Sequence, residues 1–167
     1  MKRSLSVLSL CAASLLSGVF YTATAHAAPL DLKAEQALIR ALEDEYNAEA
    51  FYDAVIAKFG AVRPFVNIIE AERKHAAALT DLMQRYGVDV PANAGLGSAS
   101  AKAAVPATPA EACRMGVAAE IANRDLYAKE LMPAAAGYPD ILRVFDALRA
   151  ASENNHLPAF ERCAARN

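Results

Sequence analysis

Two short stretches carry the chemistry this sequence could do: Glu72-Arg73-Lys74-His75 and, 81 residues later, Glu153-Asn154-Asn155-His156. Each is a Glu-x-x-His. Residues three apart on an α-helix lie on one face about 5–6 Å apart, so a carboxylate and an imidazole at this spacing can grip one metal ion. Two such pairs facing each other can hold two ions. One Glu-x-x-His alone is ordinarily an accidental neighbour pair on a helix surface. Here, however, His75 and His156 are the only histidines after Ala27, and both carry Glu at the minus-three position. There are 11 Glu in the 140 residues after Ala27, so chance gives that double match in fewer than about one case in a hundred. Glu45 and Glu120 extend the pattern, each followed seven residues later by a tyrosine, Tyr52 and Tyr127. The chain is therefore a cryptic duplication: Glu45-x6-Tyr52 then Glu72-x2-His75, echoed by Glu120-x6-Tyr127 then Glu153-x2-His156.

The elements that must position these residues are helices. The chain is Ala-rich and Gly-poor, has no Trp, and shows no sustained Val/Ile/Thr alternation, which predicts an all-α fold. Its 167 residues suit one domain with a proper core. The first 27 residues read as a secretory signal peptide: Lys2 and Arg3, an apolar run from Leu5 to Phe20, and small residues at Ala25 and Ala27 before the cleavage point. Cys11 lacks the small residue before it that a lipoprotein site wants. The mature domain, 28–167, is then expected in the periplasm or secreted, with no membrane span left after cleavage. Its 15 basic and 19 acidic residues give a net charge of −4 with His neutral, so nucleic acid is not an expected partner.

Four helices are predicted in that domain. Asp31 caps the first, whose stripe Leu38, Leu42, Glu45, Ala48, Tyr52, Val55, Phe59 ends at Gly60. The second starts near Pro64 and runs Phe65, Ile68, Ile69, Glu72, His75, Ala76, Leu79, Leu82, Met83, Tyr86 to Gly87. Glu72 and His75 interrupt an apolar seam, whereas Glu70 and Lys74 form a surface pair beside it. Residues 88–108 are Ala/Gly/Ser/Pro-rich without periodicity and read as a crossover linker, long enough to carry the chain back along the molecule. Thr108-Pro109-Ala110-Glu111 is a capping box that opens the third helix, expected to stop before Pro133. A fourth, from near Pro139, presents Leu142, Phe145, Leu148, Ser152, Glu153, His156, Phe160 and Cys163, with a kink expected at Pro158 just past the ligand pair.

One Glu from each of two helices and a Glu-x-x-His from each of the other two is the recurrent ligand set of di-iron and di-manganese bundles. On these residues the mature chain resembles the ferritin-like superfamily, nearer to rubrerythrin-type halves than to cage ferritins. The stretches Glu45 to Tyr52, Asn67 to His75 and Ser152 to Phe160 are similar to an uncharacterised bacterial ferritin-like family, a domain of unknown function. The resemblance covers nearly all of the mature chain and implies a four-helix bundle with a long crossover between its second and third helices. It also implies Glu45, Glu72, His75, Glu120, Glu153 and His156 as ligands of two iron ions, or of manganese in their place. Tyr52 and Tyr127 would hydrogen-bond ligating carboxylates and take part in the chemistry from there. Asn123 stands where rubrerythrin-type sites carry an additional carboxylate, and there is no Cys-x-x-Cys rubredoxin-like module, so electrons would need an external donor. One level on the first helix stays open. If the two helices end at the same height, Glu45 lies about 21 Å from the connection and Glu72 and His75 only about 12–17 Å, which makes Glu49 the alternative ligand.

The expected function is an exported di-iron or di-manganese carboxylate protein reacting with peroxide or O2, as a ferroxidase or a peroxide-reducing oxidoreductase. The alternative is a non-catalytic metal-binding or stress-related helical bundle, and a homodimer is left open. A purely structural bundle whose acids pair with Arg124 or Arg149 leaves both Glu-x-x-His pairings unexplained. Finally, Cys113 and Cys163 are the only cysteines of the mature chain. Placed seven residues before Glu120 and seven after His156 on antiparallel helices, they come to nearly one height, which with export predicts a disulfide rather than two buried thiols.

Overall fold

The computed structural model describes residues 29–166; the expected signal peptide, residues 1–27, and with it Cys11, lies outside the described residues. Every regular element among the described residues is helical. The first helix, α1, is Leu32–Phe59, with Asp31 Oδ1 accepting from the Ala34 N–H. The second, α2, is Phe65–Tyr86 and closes on Gly87, whose φ of 69° is the left-handed conformation glycine adopts without a Cβ penalty. A short helix, α3 (Ala99–Ala104), follows, and then α4 (Pro109–Leu126), opened by the Thr108–Glu111 capping box. A π-helical turn, Tyr127–Leu131, continues α4 into α5 (Met132–Ala134). The last run is α6 (Pro139–Ala151), a second π-helical turn Ser152–His156, and α7 (Leu157–Ala165).

Both π-helical turns have one cause. Pro133 and Pro158 each stand two residues beyond the turn; a proline has no N–H for the carbonyl four residues back, and its ring presses that carbonyl away. The turn ahead of each proline widens, so that the Met132 N–H reaches the Tyr127 carbonyl and the Leu157 N–H reaches that of Ser152. Two expectations are corrected here. The third helix does not stop before Pro133 but passes through it, and the distortion at Pro158 lies across Glu153–His156 rather than beyond it.

Neighbouring runs are antiparallel. The Phe65 ring, at the start of α2, packs on Tyr52 at 5.5 Å and on Phe160 at 5.0 Å between centroids. At the other end of α2, the Tyr86 hydroxyl donates to Asp140 at 2.8 Å. Because α4 begins beside the end of α1, where Lys58 donates to the Val105 and Pro106 carbonyls, residues 88–108 travel the length of the molecule. They are more ordered than their composition suggests. Ser98 caps α3, which packs on α1, and Asn93 donates to Glu49 at 2.9 Å.

The core is in two parts. One is built on Leu38, Leu42, Leu79, Leu82, Tyr127 and Phe145, the other on Tyr52, Val55, Phe65, Ile69, Phe160 and the cystine. Between them lies a buried polar layer of Glu45, Glu72, Glu120, Ser152 and His156. Cys113 and Cys163 are disulfide-bonded, with Cα atoms 5.8 Å apart, inside the range that cystine geometry needs. No helix among the described residues is long and apolar enough to cross a membrane.

Candidate metal centre

Burying three glutamates within one layer is costly unless something answers their charge. Their positions follow from helix geometry. Phe65 sits level with Tyr52, so α2 begins about two turns below the end of α1. Counting seven residues back from Tyr52 and seven forward from Phe65 puts Glu45 and Glu72 at one height, each about 10.5 Å from that reference. The assumption of helices ending level, which had favoured Glu49, does not hold. Glu49 instead accepts from Arg73 Nε at 2.8 Å and from Asn93, away from the histidines.

Glu72 is the centre of the arrangement. Its Oε2 lies 3.0 Å from His75 Nδ1, which also lies 3.1 Å from Glu45 Oε2. Its other oxygen, Oε1, lies 3.2 Å from His156 Nδ1, which is 3.6 Å from Glu120 Oε2. The result is two triads, Glu45–Glu72–His75 and Glu72–Glu120–His156, each with ligand atoms within 4.8 Å of one another. The two imidazoles stack with centroids 5.5 Å apart and planes 22° from parallel.

The tyrosines close the layer reciprocally. Tyr52 donates to Glu120 Oε1 at 2.8 Å, and Tyr127 donates to Glu45 Oε1 at 2.7 Å. Each half of the duplication thus supplies the tyrosine for the other half's glutamate, which α1 and α4 can do only by running antiparallel. Each hydroxyl occupies one carboxylate oxygen and leaves the other facing a histidine.

Protonation follows from the crowding. Burial lifts the Glu45 carboxyl to about 7, against the pull of His75 and with the added repulsion of Glu72. Burial pushes Glu72 up as well, but the two neighbouring imidazoles, His156 and His75, outweigh it and hold that carboxyl at about 2. Burial disfavours a charged imidazole, yet Glu45 and Glu72 raise His75 to about 9. Glu120 and Glu72 similarly raise His156 to about 10. Burial beside these acids pushes the phenols of Tyr52 and Tyr127 well above their ordinary value.

The donor set fits a pair of transition-metal ions. His156 Nδ1 is buried and makes no aligned hydrogen bond, although two carboxylates stand near it. That is the geometry of groups converging on a common point, and mixed carboxylate and imidazole donors suit iron, manganese or zinc. Five of the six expected ligands converge. Glu153 does not: its side chain is 41% exposed and accepts from Arg149 at 2.7 Å, while Ser152 takes the buried position. In the widened turn the i,i+3 relation to His156 no longer places both side chains on one face. The pairing with Arg149 expected of a structural acid therefore holds for Glu153 alone among the six. Arg124 pairs with Asp125, and Glu70 pairs with Arg73 instead of Lys74. Sequence reasoning had no role for Asp44, which accepts from Asn123 Nδ2 at 2.6 Å beside the cluster. A carboxylate next to Glu45 on a helix was its one signal.

No family model matches the sequence, and no curated protein matches it. Among solved structures the chain is similar to the crystal structure of hypothetical protein MJ0754 from Methanococcus jannaschii DSM 2661. The likeness covers 86% of this chain and 86% of that one, with a TM-score of 0.71 and 22% identity. At that identity the likeness speaks for the fold, and the helical architecture described above is shared with that archaeal protein.

Proposed function

We propose that the chain is an exported carboxylate protein of ferritin-like four-helix-bundle type, holding two iron or manganese ions and reacting with peroxide or O2. Either ferroxidase or peroxide-reducing activity agrees with this reading. The observation that supports it most is the pair of three-ligand triads sharing Glu72. Glu45 and His75 would hold one ion, Glu120 and His156 the other, and Glu72 would give one oxygen to each. Bound there, the ions would supply the redox chemistry that the side chains cannot.

The chain's own residues have defined tasks. Tyr52 and Tyr127 keep their protons and donate to Glu120 and Glu45, fixing the rotation of both carboxylates. In the metal-free chain Glu45, lifted to about 7, and His75 share a proton across 3.1 Å, and that proton must leave before the two groups can hold an ion. Phe65, Phe160 and the other apolar neighbours exclude water from below, and Leu42, Leu79 and Phe145 from above.

Anaerobic loading with Fe(II), followed by O2 or hydrogen peroxide, tests the proposal. Ferric absorbance in the near ultraviolet should grow faster than for Fe(II) in buffer, with peroxide consumed over repeated cycles when a reductant is supplied. Two bound ions without accelerated oxidation would instead support the non-catalytic metal-binding reading.

A further inference from the structure

A cleft of about 260 Å³ opens between α1 and α4 and ends on the glutamate cluster. Its outer wall is Asn47, Met115, Ala119 and Ala122, all exposed; Asp44 and Asn123 are half-buried below them; Glu45, Tyr52, Glu72 and Glu120 form the buried floor. The lining contains four carboxylates and, among the described residues, no basic side chain. The Asn123 Oδ1 is buried and accepts no hydrogen bond among the described residues, while the amide's Nδ2 is spent on Asp44. Ala48, Ala119 and Ala122 leave room in walls that Phe51 and Met115 also line. The two histidines do not line it, so it approaches the cluster from its carboxylate side.

We propose that this cleft is the entrance by which a divalent cation reaches the carboxylate and imidazole cluster, with Asp44 as the charge that draws it in; the inference rests on the two-ion reading above. An oxygen-rich passage of one sign focuses the field along its axis and raises the local cation concentration. Asp44 stands midway between solvent and floor, where a partly hydrated ion exchanges water for side-chain oxygens. Asn123 orients that carboxylate through its 2.6 Å hydrogen bond. Neither residue belongs to the two triads, so each acts on arrival rather than on final coordination.

Stopped-flow loading of the metal-free chain with Co2+, followed by the visible absorption of bound cobalt, tests this. Asp44→Asn should slow loading about three- to ten-fold at low ionic strength, with the difference closing in about 0.5 M salt. Ala119→Leu, which thickens the wall without changing charge, should slow loading at all salt concentrations. Both variants should reach the wild-type cobalt content at equilibrium. Unchanged rates in both variants overturn the entrance while leaving the two-ion reading standing. Failure of the wild type to bind Co2+ overturns that reading and the entrance with it.

Discussion

At the scale of single residues, Glu72 differs from the other acids because each of its oxygens faces a different histidine. Its neighbours serve one triad each. Glu45→Ala should therefore cost one ion per chain, as should His75→Ala or His156→Ala, with total metal measured after acid digestion. Glu153→Ala should cost none, because that carboxylate faces Arg149. Tyr52→Phe and Tyr127→Phe should keep the metal content but lower stability by about 1–3 kcal/mol each, the usual loss when a buried charged acceptor loses its donor. Denaturant titration measures that loss. Their peroxide-driven oxidation rates should also change, since each hydroxyl orients a carboxylate that the proposed centre uses as a ligand. Proton linkage gives two opposite pH trends. The folded-state values of about 9 for His75 and about 10 for His156 lie above the ordinary 6.5, so their contribution to metal-free stability is full below pH 6.5 and is lost as pH rises through 9 to 10. Glu72, held at about 2, contributes above about 4.5 and loses its contribution as pH falls toward 2. Metal affinity, by contrast, should rise with pH, since both imidazoles must shed a proton to ligate. Titration calorimetry at pH 7 in buffers of different ionisation enthalpy should show between about two and three protons released per chain loaded, two from the imidazoles and part of one from Glu45. No proton release would mean that the histidines do not ligate.

At the scale of elements, helix periodicity carried most of the information. The stripes of α1 and α2 were legible because apolar residues recur at helical spacing and the acids break into them. The capping box at Thr108 and the glycines 60 and 87 marked ends that the structure keeps. What periodicity could not convey was register between helices. Phe65 meets Tyr52 through ring packing, a long-range fact that no local pattern encodes, and it decides whether Glu45 or Glu49 faces His75. The prolines were legible as disruptions, but not in the form taken: a helix held by tertiary packing absorbs a missing N–H by widening a turn instead of ending. That widening is why Glu153, correctly spaced in sequence, faces outward. Gly116 shows the converse dependence of element on packing. A Cβ there would sit 2.5–2.7 Å from ring carbons of Phe160, so α4 and α7 approach as closely as they do because position 116 has no side chain. Gly116→Ala should destabilise the chain by about 1–3 kcal/mol despite its better helix propensity, read from the denaturation midpoint.

For the whole molecule, two apolar cores are held apart by a layer in which three buried carboxylates meet two imidazoles. The disulfide ties α4 to α7 at one end, across a sequence separation of 50 residues. Closing a loop of that size restricts the unfolded chain by about 4 kcal/mol in the chain-entropy description. Reduction of the metal-free protein should lower its unfolding free energy by up to that amount, and an unchanged denaturation midpoint would assign the bridge no share in stability. The two-ion centre itself is tested most directly by total transition-metal content in wild type and Glu72→Ala, purified from iron-supplied cells and checked for helical content. Zinc or copper count as occupants, since divalent affinity follows the ion rather than the function. Two triads sharing one carboxylate predict two ions per wild-type chain and none in Glu72→Ala; a wild type without metal, or a variant that keeps both ions, would contradict the account.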